Sequence, residues 1–138
     1  MKTVQELNEW GRTSLPGLVG FEITAIEPGR LSARMPVRSD LLAPHGFLHA
    51  ASVVALADSA CGYGTMYDLP DDAKSFTTIE LKTNFLGTAR EGIVSCDATR
   101  MHNGRSTQVW DAVVRNDAGK AIALFRCTQM VLWQNPKP

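Results

Sequence analysis

One acid, Asp58, stands among alanines, valines and a leucine in the stretch LHAASVVALADSACG, Leu48 to Gly62. Aspartate is a poor residue for a helix interior, and its charge is costly to bury without partners, so something must compensate. Two readings fit. Asp58 faces solvent or pairs with an arginine across an interface, or it is a general base or nucleophile at a pocket wall, where Ala57, Ser59 and Ala60 leave room for a ligand. Directly upstream, APHGFLHAAS runs a glycine-bearing loop into a helix start. The first N–H groups of a helix are unpaired and lie at the positive end of its dipole. They can hold a developing oxyanion in acyl transfer, or be satisfied by a cap or by water.

Other reactive residues carry less. His45 and His49 are four apart, a zinc-compatible spacing on a helix, but Pro44 and Gly46 put His45 in a loop and no acid occupies a third-ligand position; no metal site is expected. Cys61, Cys96 and Cys127 lie in apolar segments without a C-x-x-C pair, as reduced core residues do, and no cysteine-enzyme motif surrounds Cys61. His102 sits beside a turn and reads as a surface residue.

The elements that must position Asp58 follow from periodicity. Thr3 and Glu6 form a capping-box pattern ahead of Val4, Leu7 and Trp10, predicting a short helix over residues 3–11. Phe21, Ile23 and Ala25 alternate with polar residues, Pro28-Gly29 makes a turn, and Leu31, Ala33 and Met35 share one face, predicting a hairpin. Residues 48–67 are small and apolar in every direction, as in a central helix wrapped by other structure. Strands are then expected over Thr77–Leu86, Gly92–Met101, Thr107–Arg115 and Ala121–Trp133, the later ones joined by HNGR and NDAGK turns that favour antiparallel neighbours. A disordered tail is expected at 134–138. The order predicts an α+β fold in one domain, 1–138, with an antiparallel sheet of five to six strands around the long helix. The sheet's open face and edges predict self-association.

Composition narrows the partners. Fourteen basic side chains balance fourteen acidic ones, 20% of residues are charged and 44% are hydrophobic, so no electrostatic footprint for nucleic acid is present. Met1 to Arg12 shows no continuous apolar segment before a small-residue cleavage site. No run approaches ~18 apolar residues either, so a cytoplasmic protein without a membrane span is expected.

The motif His49-x8-Asp58 inside HAASVVALADSACGYG, followed by TTIELKTNFL, AREG, NGRST and NDAGKAIA, resembles the hotdog-fold acyl-CoA thioesterases of the phenylacetate-degradation type. The likeness follows the strand order over roughly residues 20 to 132. It implies that Asp58 is the base or nucleophile acting at the thioester carbon, that the Ala50 amide binds the thioester oxygen, and that His49 shapes the loop. Thr78 matches the hydroxyl residue that positions the water or the carboxylate, although a plain strand threonine fits the same position. Arg90 in TAREG and Arg105, Ser106 and Thr107 in NGRST match places where related enzymes meet the phosphates of coenzyme A. Arginine's planar fork suits that role, and solvated loop residues are the plain alternative. The implied activity is hydrolysis of an acyl-CoA to the free acid and CoA, without a cofactor, since CoA is part of the substrate. Aryl-acetyl or short to medium acyl groups are favoured, and Tyr63, Met66 and Phe85 are candidate pocket residues.

Two departures from the family pattern bear on activity. Ala50 and Ala51 replace its paired glycines, and Ala43 stands where an amide side chain often helps hold the carbonyl. A non-catalytic acyl-CoA-binding protein is therefore the alternative. A hydratase fits less well, because His49 and Asp58 do not share one short catalytic segment.

If the two roles are granted, geometry adds a consequence. Ala50 and Asp58 are eight residues apart on one helix, about 12 Å at ~1.5 Å per residue. Both groups must approach one thioester carbon to roughly 3 to 4 Å. Each site then takes its oxyanion amide from one subunit and Asp58 from its neighbour, which predicts an obligate homodimer and, by the family resemblance, a homotetramer.

Overall fold

The computed structural model describes residues 2–134. It contains α1 (Val4–Trp10), α2 (Leu15–Val19), β1 (Glu22–Glu27), β2 (Arg30–Pro36), a 3-10 turn (Ser39–Leu41), α3 (Ala50–Tyr67), β3 (Ala73–Phe85), β4 (Ile93–Asn103), β5 (Thr107–Arg115) and β6 (Ala121–Trp133). The strands form one sheet in the order β1-β2-β4-β5-β6-β3, and every neighbouring pair is antiparallel. This is the expected α+β hotdog architecture, with six strands curved around α3. Of the tail expected at 134–138, residues 135–138 lie outside the described residues.

Helix α1 forms where its cap predicts. Thr3 Oγ1 accepts from the Glu6 amide at 3.2 Å and the Thr3 amide donates to Glu6 Oε2 at 2.7 Å, so two orphan donors are satisfied. Leu7 then anchors the helix in the core, at 1% exposure. Helix α2 was not anticipated, although its punctuation is in the sequence: Ser14 precedes it, Pro16 sits in its first turn, and Gly20 closes it at φ 79°, where a side chain would be strained.

Two strand details differ from the periodic reading. A bulge between Ile23 and Ala25 shifts the phase of β1, so Ala25 is exposed and Ile26 turns toward the core instead. Strand β3 begins at Ala73, four residues before Thr77, because Ala73 and Ser75 already pair with Trp133 and Leu132 of β6. Backbone pairing, and not side-chain alternation, sets that boundary.

Helix α3 lies close against the sheet because its contact face is small. At Gly64 a Cβ would come within 2.5 Å of Trp110 Cη2, and Trp110 is fully buried. Gly64→Ala should therefore destabilise the fold by about 1–3 kcal/mol despite alanine's higher helix propensity, measured as a lower denaturation midpoint. The helix is not wrapped on all sides, as its composition suggested. Ala51, Ala55, Asp58, Ser59, Gly62 and Met66 form a half-exposed to exposed stripe, along which Thr78 and Phe76 of β3 meet Asp58 and Gly62. Cys61, Cys96 and Cys127 are buried and free. Burial pushes the Cys61 and Cys96 thiols upward, away from thiolate chemistry.

Candidate active site

The N-terminus of α3 is built by the segment 41–49. Leu42 and Leu48 form a β-bridge, the Ala43 amide donates to Phe47 O at 2.7 Å, and the His49 amide donates to Leu41 O at 3.0 Å. His49 is the N-cap, and its Nδ1 accepts from the Ala51 amide at 2.9 Å, which leaves the ring proton on Nε2. The Ser52 and Val53 amides donate to His49 O at 2.9 and 3.2 Å. Three of the helix's first four amides are thus spent locally. The Ala50 amide has no acceptor among the described residues, and Ala50 lies on the wall of an open cavity of about 500 Å³ with His45, Phe47, Val53 and Phe85. Ala51, which replaces the second of the family's paired glycines, has its amide committed to His49.

Asp58 opens onto a different cavity of about 340 Å³, walled by Trp10, Ser14, Tyr63, Met66, Phe76 and Thr78 among others. Thr78 Oγ1 donates to Asp58 Oδ1 at 3.2 Å, so β3 reaches over the helix to hold one carboxylate oxygen. No cation pairs with Asp58 among the described residues. Burial raises its pKa above the usual 3.8, and the Thr78 hydrogen bond offsets this in part. A half-buried carboxylate with one oxygen fixed and the other unclaimed can accept a proton from water or attack an electrophile.

The two cavities share no lining residue, so one chain does not bring Ala50 and Asp58 together. Nor does it gather the four coenzyme candidates. Arg90 lies over the Phe47 ring, 4.2 Å from its centroid, beside the Ala50 cavity. Arg105 lies over Trp133 at 4.3 Å and accepts the Trp133 indole N–H on its carbonyl, Ser106 O accepts from the Val131 amide, and Thr107 begins β5 opposite Met130. Those three sit at the end of the β5–β6 hairpin remote from Ile122, which lines the Ala50 cavity.

Of the pocket residues read from sequence, Tyr63 and Met66 line the Asp58 cavity, whereas Phe85 lines the other. Trp10, Ser14, Phe76 and Phe47 were missed as site residues. Trp10 was legible only as part of an amphipathic stripe, yet it is 52% exposed and meets Tyr63 edge-on at 5.9 Å.

Comparison with known proteins follows the same lines. The model of the thioesterase superfamily matches residues 45–123. The chain is 31% identical over 110 residues to the 1,4-dihydroxy-2-naphthoyl-CoA hydrolase of Listeria monocytogenes, covering 80% of this chain and 89% of the relative. It is 29% identical over 130 residues to the Escherichia coli protein of that name, covering 94% and 95%. A solved mutant thioesterase from Pseudomonas aeruginosa superposes with a TM-score of 0.92 at 30% identity, covering 97% of this chain and 96% of that one.

Proposed function

We infer the function from one premise, that the chain belongs to the thioesterase superfamily and is a thioester hydrolase. Its substrate is an acyl-CoA, and within that class we assign aryl-acetyl or short to medium acyl groups. The apolar walls of the Asp58 cavity, with Trp10, Tyr63, Met66 and Phe76, support an acyl group of that size.

The observation that carries this assignment is the half-buried Asp58, unpaired by any cation among the described residues and held by Thr78 at the cavity wall. Ionised Asp58 takes a proton from water as the water oxygen bonds to the thioester carbon, or bonds to that carbon itself. In either route the C=O electron pair moves to oxygen, where the Ala50 N–H of the neighbouring subunit stabilises it. Collapse restores the C=O and breaks the C–S bond, releasing CoA thiolate. Water then hydrolyses the mixed anhydride if Asp58 was the nucleophile.

We propose the assembly on the same reading of the two groups and on the family resemblance. A homodimer with antiparallel α3 helices sets each Asp58 cavity against the partner's Ala50 cavity, and two dimers pair into a homotetramer. In support, α3 carries the half-exposed stripe described above, and the edge strand β3 leaves Ile79, Leu81 and Phe85 exposed. No cofactor or metal enters this chemistry. Among the described residues no helix is long and apolar enough to cross a membrane, and we assign the cytoplasm as its location.

A thiol-trapping assay across arylacetyl, short and medium acyl-CoAs tests the assignment. Free CoA should appear, and kcat/KM should rise with pH through a midpoint above the ordinary aspartate value of 3.8, because the base must be ionised and burial raises its pKa. Tight acyl-CoA binding with no thiol released would overturn the hydrolytic assignment. An acid limb at or below the ordinary value would remove Asp58 from the reaction.

A further inference from the structure

We propose that Thr65 is a positioning residue for the hydrolysis: through Gln129 and Gln108 its hydroxyl fixes α3 on the sheet, so that Asp58 stays seated on Thr78. This deepens the reading of Asp58 as the reacting group and rests on it.

Thr65, Gln108 and Gln129 are polar residues in the core, at 0%, 2% and 0% exposure. Burying such groups costs stability unless they are partnered, and their partnering fixes geometry in a way that apolar contacts do not. Thr65 Oγ1 reaches Cys61 O at 3.1 Å and Gln108 Oε1 at 3.2 Å, and it also meets Gln129 Oε1. Gln108 Oε1 in turn accepts the Trp110 indole N–H at 2.9 Å, and Trp110 is the ring that Gly64 of α3 approaches closely. Thr65 has one proton to donate. Gln129 Nε2 is buried without a partner among the described residues, and a half-turn of its amide makes it the donor to Thr65 Oγ1. The hydroxyl then gives its own proton to Cys61 O or Gln108 Oε1.

The network and Asp58 are joined through both the helix and the sheet. On α3, Thr65 follows Asp58 by seven residues, two turns and about 10.5 Å, and faces the same way to within about 20°. On the sheet, Thr78 pairs directly with Gln129, which pairs on its other side with Gln108. Two attachments that leave α3 two turns apart thus end on adjacent residues of β3 and β6. Such a triangle resists both sliding of the helix along its axis and rotation about it. Apolar packing resists these motions weakly, because it is non-directional and the buried Ala57, Ala60 and Gly64 give the sheet little to interlock with. The Thr78 hydrogen bond to Asp58, part-buried at 3.2 Å, is the weaker corner. Without the Thr65 corner, Asp58 drifts from Thr78 and from the thioester carbon, and a misplacement of about 1 Å costs up to roughly 100-fold in rate.

Thr65→Val keeps the side chain's shape and removes the hydroxyl, whereas Thr65→Ser keeps the hydroxyl. On an acyl-CoA that the unmodified protein hydrolyses, Thr65→Val should lose about 10- to 100-fold in kcat with KM within about two-fold, and Thr65→Ser should recover most of that loss. The acid limb of kcat/KM should also move to higher pH in Thr65→Val, because the Thr78 hydrogen bond holds the Asp58 pKa down. Tyr63 and Cys61, the other titratable groups beside Asp58, are both pushed up by burial and stay neutral over that range. In a Thr78→Val background the same substitution should cost no more than about two-fold, since the contact it acts through is already gone. A Thr65→Val protein with a lower melting temperature but an unchanged kcat and acid limb overturns the proposal. So does an equal loss in Thr65→Ser, or an effect that persists in full without Thr78. If Thr65→Val does not fold, Gln129→Met carries the same expectations and refutations; failure of both to fold makes the network a folding element only, which also overturns the proposal. Asp58→Asn separates the two readings: if it retains kcat, the assignment of the reacting group fails, whereas an inactive Asp58→Asn beside an unimpaired Thr65→Val sinks only the role of Thr65.

Discussion

Ala50→Pro is expected to fold as the unsubstituted chain does and to lose about 100- to 1,000-fold in kcat, the usual effect of removing one oxyanion donor. The substitution is unusually selective. Ala50 is the first residue of α3, where proline is tolerated because its missing N–H has no place in the helix ladder. The preceding residue must be extended, and His49 is, at φ −63° and ψ 139°. The His49 cap on Ala51 and the Ser52 and Val53 hydrogen bonds are left in place. Steady-state kinetics with a thermal melt decides the matter. An unchanged melting temperature with a lost kcat assigns the amide to the reaction, whereas an active Ala50→Pro enzyme removes it.

Asp58→Asn is expected to lower kcat by about 100- to 10,000-fold, the range for a general base, while CoA-ester binding stays within a few-fold. Stability should move the other way. The folded pKa of Asp58 is raised, so its charged form is less favourable in the folded chain than in the unfolded one. Such a group leaves the protein most stable below its unfolded pKa, and stability falls as pH rises through the folded value. At neutral pH the unsubstituted protein carries that cost and the asparagine variant does not. Asp58→Asn should thus melt at or above the unsubstituted protein at pH 7, with the difference closing in acid. A structural carboxylate would show the reverse, a clear loss of melting temperature with kcat preserved.

The two variants also complement each other if each site draws on two subunits. A mixed dimer of Ala50→Pro and Asp58→Asn chains has one site with both defects and one with neither. Random reassociation then recovers about a quarter of the original activity. No recovery would place both groups in one subunit or outside the site.

Much of the site's local chemistry was readable one segment at a time. The Thr3–Glu6 box forms as its residue types require, and the central helix runs to Tyr67 as its composition implied. The anomaly of Asp58 among small residues pointed at the right place, because a charge in such surroundings needs an explanation whatever the fold. The hidden features depend on partners distant in the chain. The early start of β3 comes from pairing with residues near the end of β6, and the phase of Ala25 comes from a bulge that no alternation pattern encodes. Phe85 and Tyr63 look alike as pocket aromatics in sequence, yet they line different cavities because one lies on β3 and the other on α3.

The sequence by itself determined which groups can act: an acid, a helix start with a histidine cap, and a set of small residues that lets α3 approach the sheet. These are properties of residue type and short spacing, set by local hydrogen bonding and steric size. The tertiary structure alone decided how they are shared out. It placed Asp58 and Ala50 in separate cavities, left the Ala50 amide, alone of the first four in α3, without an acceptor among the described residues, and set Trp10 of α1 against Tyr63 of α3. Those outcomes follow from strand pairing and packing between distant segments, where a single residue's surroundings are supplied by parts of the chain that its neighbours do not specify.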